Sequence, residues 1–147
     1  MHPRSPLSST SLVRNVFFSE DLPTAEVKEF EHWMAPWESM KWPIFMFSQF
    51  VSFARLVQNI SGWGRGSRVC VIVGAEDRIV RPPIAKTNAV LIRAAVEDPA
   101  DRRKVEGLNG DDPVSFVVVK GAPHHLQNDV TKDDAAAKVL EFLKQLV

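Results

Sequence analysis

Two apolar runs of strand length dominate the pattern of this chain. The first is Val69-Cys70-Val71-Ile72-Val73, closed by Gly74; the second is Val114-Ser115-Phe116-Val117-Val118-Val119, followed by Lys120 and Gly121. Near-continuous β-branched runs, without polar alternation, belong to strands covered on both faces, as in a parallel sheet under helices. Between them, after Pro82 and Pro83, Ile84 to Val96 repeats apolar residues at helical spacing. Behind the second run, Asp133 to Val147 reads as an amphipathic helix. Asp133 and Asp134 lie in its first turn, and Ala136, Val139, Leu140, Leu143 and Val147 line one face. The order strand, helix, strand, helix predicts an α/β segment over 68–147.

The pattern ahead of the first strand is helical. Asp21-Leu22-Pro23 predicts a helix start, Val27, Phe30 and Met34 recur at helical spacing, and Pro36 ends the segment. Ile44 to Asn59 predicts a longer helix, apolar over much of its circumference, against which that stripe is expected to pack. Trp33, Trp37, Trp42, Phe45, Phe47, Phe50 and Phe53 would line an apolar pocket or form plain core, and the residues leave both open. Met1 to Ser11 is rich in serine and proline, so 1–16 is expected to be a flexible leader ahead of a helical segment over 17–60. Ser61 to Ser67 is a glycine-rich linker without the lysine of a phosphate cradle. Glu97 to Lys104 is a solvated charged stretch, and Gly107 to Pro113 is a turn. Two strands alone make no stable parallel sheet, so further strands are expected either to be missing from this sequence or to be supplied by a partner.

Composition narrows the function classes. Lysine and arginine together number 18 and aspartate and glutamate 18, so no net field attracts nucleic acid or an anionic membrane. The most hydrophobic stretch, Ile44 to Val57, is broken by Ser48, Gln49, Ser52 and Arg55 and is too short for a bilayer, which takes about 20 apolar residues. Cys70 is the single cysteine, which excludes an internal disulfide and fits a reducing compartment. Met1 to Ser11 holds no apolar core of a secretory signal. A soluble, cytoplasmic protein is the expectation.

The chemistry lies just past the two glycines. Asp77 stands three positions after Gly74, and His124 three positions after Gly121. A carboxylate and an imidazole at the C-terminal ends of parallel strands occupy the rim where open α/β sheets bind and react with ligands. Glu76 is a rival acid. His124, His125 and Asp129 could instead be read as metal ligands, although adjacent histidines in a strand-to-helix turn rarely converge on one ion. Cys70, inside the strand, reads as a small buried hydrophobe.

Gly74-Ala75-Glu76-Asp77-Arg78-Ile79-Val80 with Pro82, and Gly121-Ala122-Pro123-His124, resemble the last two core strands of the α/β-hydrolase superfamily. There the triad acid and then the histidine follow late strands, in the order nucleophile, acid, base. The resemblance covers roughly 17–147. It implies Asp77 as the acid, His124 as the base, the helix from Asp133 as the closing helix and the aromatic helices as a lid. It further implies a serine nucleophile, an apolar ester-type substrate and no cofactor or metal. The chain departs from the family at Pro123, where a glycine is usual. Neither G-x-S-x-G nor a His-Gly-Gly oxyanion motif occurs. The chain is thus expected to be the C-terminal part of such a hydrolase and inactive alone. Two alternatives accompany this reading: a truncated, non-catalytic binding or assembly module prone to self-association, and an ancestor with an aspartate nucleophile, as in epoxide hydrolases and dehalogenases.

Overall fold

A computed structural model describes residues 7–34, 52–60, 67–97 and 112–146. At its centre β1 (Val69–Gly74) and β2 (Val114–Val119) pair in parallel, Val69 opposite Val114 through Gly74 opposite Val119. Parallel partners require a crossover. Part of this one is α4 (Pro82–Glu97), which starts two residues earlier than the apolar spacing predicts. Proline is tolerated there because the first helical N–H groups have no partner within the helix. Ala85, Ala89, Ile92 and Val96 form the buried face of α4. Ala89, Ile92 and Val96 pack with Val114, Val69, Val71 and Phe116 on one side of the sheet. Val57, from the short helix α3 (Phe53–Gln58), completes that core. On the opposite side Ile72 and Val119 meet Ala135 of α5 (Lys132–Lys144). Helices therefore flank both faces of the sheet, as its unalternating strands predict, but the cover is partial: Val118 stays 42% exposed and Ile72 borders an open groove.

A second core lies between α1 (Thr10–Phe17) and α2 (Thr24–Trp33), where Val13, Phe18, Leu22 and Val27 are buried. This corrects the expected leader over 1–16, since the chain is helical from Thr10. Ser9, which reads as linker composition, is the cap of α1, its hydroxyl accepting from Leu12 N–H. Serine favours a helix N-terminus for the same reason it favours loops, an oxygen within reach of free backbone donors. Val27, with Phe30 and Met34 beside it, packs on this α1 surface.

The expected helix Ile44 to Asn59 is seen as α3 in its last part; residues 44–51 lie outside the described residues. So do Trp37, Trp42, Phe45, Phe47 and Phe50, the linker residues 61–66 and the stretch 98–111. On α5 the predicted apolar face is open: Val139, Leu140 and Leu143 are 41%, 52% and 48% exposed. They line a groove with Ile72 and Leu126. No described helix is long and apolar enough to cross a membrane.

Candidate functional site

The site is built where the two strands end. Gly74 closes β1 so tightly against the following chain that a Cβ there would sit 2.2 Å from the carbonyl oxygens of both Ala122 and Pro123. Only glycine permits this approach. The two strand-end turns are then stitched together by main-chain bonds. Ala75 N–H donates to Val119 O at 2.9 Å, and Glu76 N–H to Ala122 O at 2.9 Å. Gly121, at φ +69°, turns the chain out of β2 in the left-handed conformation that glycine adopts without strain. Asp77 and His124 each follow one of these joined turns, so strand pairing brings them face to face.

Asp77 is 6% exposed. Its Oδ1 accepts from the N–H groups of Ile79 and Val80, both at 2.8 Å, which fixes the carboxylate plane. The other oxygen, Oδ2, lies 2.9 Å from His124 Nδ1. An ionised carboxylate only accepts, so in that state Nδ1 donates and Nε2 keeps a free lone pair. The His124 side chain is 31% exposed, and the Phe17 ring lies beside it at 5.8 Å between centroids. The arrangement is that of an oriented general base: a buried acceptor holds the ring in one tautomer, and the far nitrogen is able to take a proton.

The rival assignments separate here. Glu76 has an exposed side chain. His125 points away from the pair into a nest of rings formed by Phe17, Phe18 and Phe30, at 6.0, 5.4 and 4.6 Å. Burial, and secondarily the neighbouring His124, lowers the His125 pKa, because a charged imidazole is poorly solvated there. The Asp129 carboxylate is turned to Ser19 rather than to either histidine. Among the described residues no group of three or more histidine, cysteine or acidic side chains could hold a metal ion. Cys70 is half-buried, and burial raises its thiol pKa, the opposite of what activates a cysteine nucleophile.

The sequence reading missed Phe17, Ser19 and the role of Asp129, all of which lie against the histidine turn. Nothing local marks them, because their partners are more than a hundred residues away; for Ser19 and Asp129 the separation is 110. The importance of Gly74 was foreshadowed by its place at the strand end. No family model matches the chain, and no curated protein or solved structure matches it.

Proposed function

We infer that Asp77 and His124 are the acid and base of a hydrolase site of the α/β-hydrolase type, acting on an apolar ester or related carbonyl substrate. The observation that carries this reading is the 2.9 Å contact between His124 Nδ1 and the buried Asp77 carboxylate at the C-terminal ends of two paired parallel strands. In this reading Asp77 orients the ring and stabilises the imidazolium, and Nε2 accepts the proton of a nucleophile. A nucleophile elbow of the form G-x-S-x-G is not among the 147 residues. The pair is thus a base to which a nucleophile and oxyanion donors must be brought, and these supply most of the acceleration in such sites. An aspartate nucleophile, as in epoxide hydrolases and dehalogenases, would use the same pair to activate water.

The test combines two measurements on one preparation. A downfield Nδ1–H resonance of His124, removed in Asp77→Asn, is expected in the proton spectrum. Hydrolysis of p-nitrophenyl esters by the chain alone is expected to be the same in wild type and His124→Ala. A general base acting on water contributes typically only 10²–10⁴-fold, and a site without its oxyanion donors loses about 10²–10³. Turnover abolished by His124→Ala would place a nucleophile within the chain and overturn the view that one must be brought to the pair. Absence of the Asp77-dependent resonance would sink the acid–base assignment.

The open groove along Val139, Leu140 and Leu143 favours a second reading, an assembly module whose partner covers this face. Light scattering on the same preparation separates the two. Concentration-dependent association that Leu140→Glu abolishes supports the module, and a monodisperse monomer at all concentrations argues against self-assembly.

A further inference from the structure

Asp129 is 1% exposed and carries a carboxylate, a costly group to bury without partners. Its Oδ2 accepts from the backbone N–H of Ser19 at 2.9 Å and from the Ser19 hydroxyl at 3.0 Å. Oδ1 lies 3.5 Å from the Thr131 hydroxyl, a marginal contact. The two bonds from Ser19 therefore dominate, and they tie the turn after α1 to the turn after β2. A third bond runs between the same two segments, His125 N–H donating to Phe17 O at 2.9 Å. The residues caught between these ties are the aromatic ones. Phe17 lies at 5.8 Å from the His124 ring, and Phe17, Phe18 and Phe30 enclose His125.

We propose that Asp129 is a positioning residue for His124: by accepting both bonds of Ser19 it clamps the 17–19 segment onto the 124–129 turn and seats the Phe17 ring against the imidazole. The role rests on the acid–base assignment of His124 made above. The hydrogen bond to Asp77 fixes one ring nitrogen but leaves the ring free to rock about that bond. The Phe17 ring, tilted 40° to the imidazole at 5.8 Å between centroids, is an apolar neighbour on one side that restricts the rocking. This clamp acts through Ser19 and Phe17, so Asp129 itself touches no reacting atom.

The experiment follows the rings of the full chain by NMR in wild type, Asp129→Ala and Ser19→Ala. Wild type is expected to give ring-to-ring cross-peaks between Phe17 and His124. In Asp129→Ala these are lost and the His124 Nδ1 proton exchanges with water roughly tenfold faster, as local opening of the segment requires. Ser19→Ala, which deletes one donor and keeps the backbone bond, is expected to show a smaller change in the same direction. It decides the matter should Asp129→Ala fail to fold. Unchanged cross-peaks and exchange in both variants, with only the melting temperature lowered, would overturn the proposal and leave Asp129 a stabilising residue. If wild type lacks the Asp77-dependent Nδ1–H resonance, the acid–base reading fails. The clamp is then judged on the Phe17 to His124 cross-peaks alone, and their loss in the variants still supports it.

Discussion

Asp77 and Asp129 are the two buried aspartates of the described residues, and they are held in different ways. Asp77 takes its bonds from the chain just ahead of it, at Ile79 and Val80, and from His124 across a pair of neighbouring strands. Asp129 takes its two close bonds from Ser19, at the far end of the sequence. The first arrangement is a product of secondary structure: once β1 and β2 pair in register, the turns that follow them must meet. The second depends on a separate helical pair docking onto the sheet's rim. One carboxylate is placed by local rules and strand pairing, the other by tertiary docking. The two are expected to fail under different perturbations.

Gly74→Val is the strongest way to break the first without touching the second. A Cβ there would overlap two backbone carbonyl oxygens, and backbone cannot swing aside as a flexible side chain can. The β1 turn must separate from the 122–123 stretch, at a cost of about 3 kcal/mol or more by analogy with severe overpacking. Denaturant unfolding should show the lowered midpoint. The Nδ1–H resonance of His124 should disappear while the Ser19 amide keeps its protection. Loss of both at once would mean that the two aspartates belong to one cooperative unit, and the comparison would collapse.

The same contrast explains how much could be read from the sequence. The strands, the crossover helix and the closing helix follow from Val69–Gly74, Val114–Val119, the apolar helical spacing from Ile84 to Val96 and the acidic start at Asp133, all local signals. Asp77 and His124 were legible because each stands three residues after a strand-ending glycine. Helix α1 was not, because Ser8, Ser9, Thr10 and Ser11 resemble a linker until Ser9 is seen to cap a turn that buries Val13. The contact of the Val27, Phe30 and Met34 stripe with α1 escaped notice for the same reason, since that surface belongs to a helix that composition disguises; most of its expected partner helix, 44–51, lies outside the described residues. Ser19 and Asp129 carry no pattern at all, since a hydrogen bond between residues so far apart leaves no periodicity.

Between the two aspartates sits His125, and its response to acid sharpens the comparison at the docking side. Burial among Phe17, Phe18 and Phe30 lowers its pKa below the ordinary value of 6.5. Above about pH 6.5 the imidazole is neutral in both folded and unfolded chains, and its contribution to stability is fully present. As pH falls below that, the unfolded chain takes up the proton first, so the contribution shrinks and is lost once pH passes the folded pKa. Thermal unfolding from pH 8 to 5 is therefore expected to show a decline that His125→Phe flattens. A decline of equal slope in the variant would move its origin to other groups. The ring nest would then have no part in the acid response of the α1–α2 dock.

Asp112 supplies the exposed counterpart, and the smallest expected effect. Its two oxygens accept from Arg93 Nε and Nη2 at 2.8 and 2.7 Å, and Oδ1 also accepts from Val114 N–H at 3.0 Å. The Arg93 bonds, and secondarily the Val114 amide, lower the Asp112 pKa. Geometrically this carboxylate is as well served as either buried one. Its side chain is 56% exposed, however, so water competes for every bond and mobile ions screen the charge. Arg93→Ala is expected to cost only about 0.5 kcal/mol in low salt and less at high ionic strength. Denaturant melts of wild type and Arg93→Ala at two salt concentrations measure it. The loss should fade with salt, whereas the loss in Gly74→Val, which comes from steric overlap, should not. An Arg93→Ala effect that is large and insensitive to salt would show that partner count alone governs these carboxylates, and burial would no longer distinguish Asp77 and Asp129 from the rest of the surface.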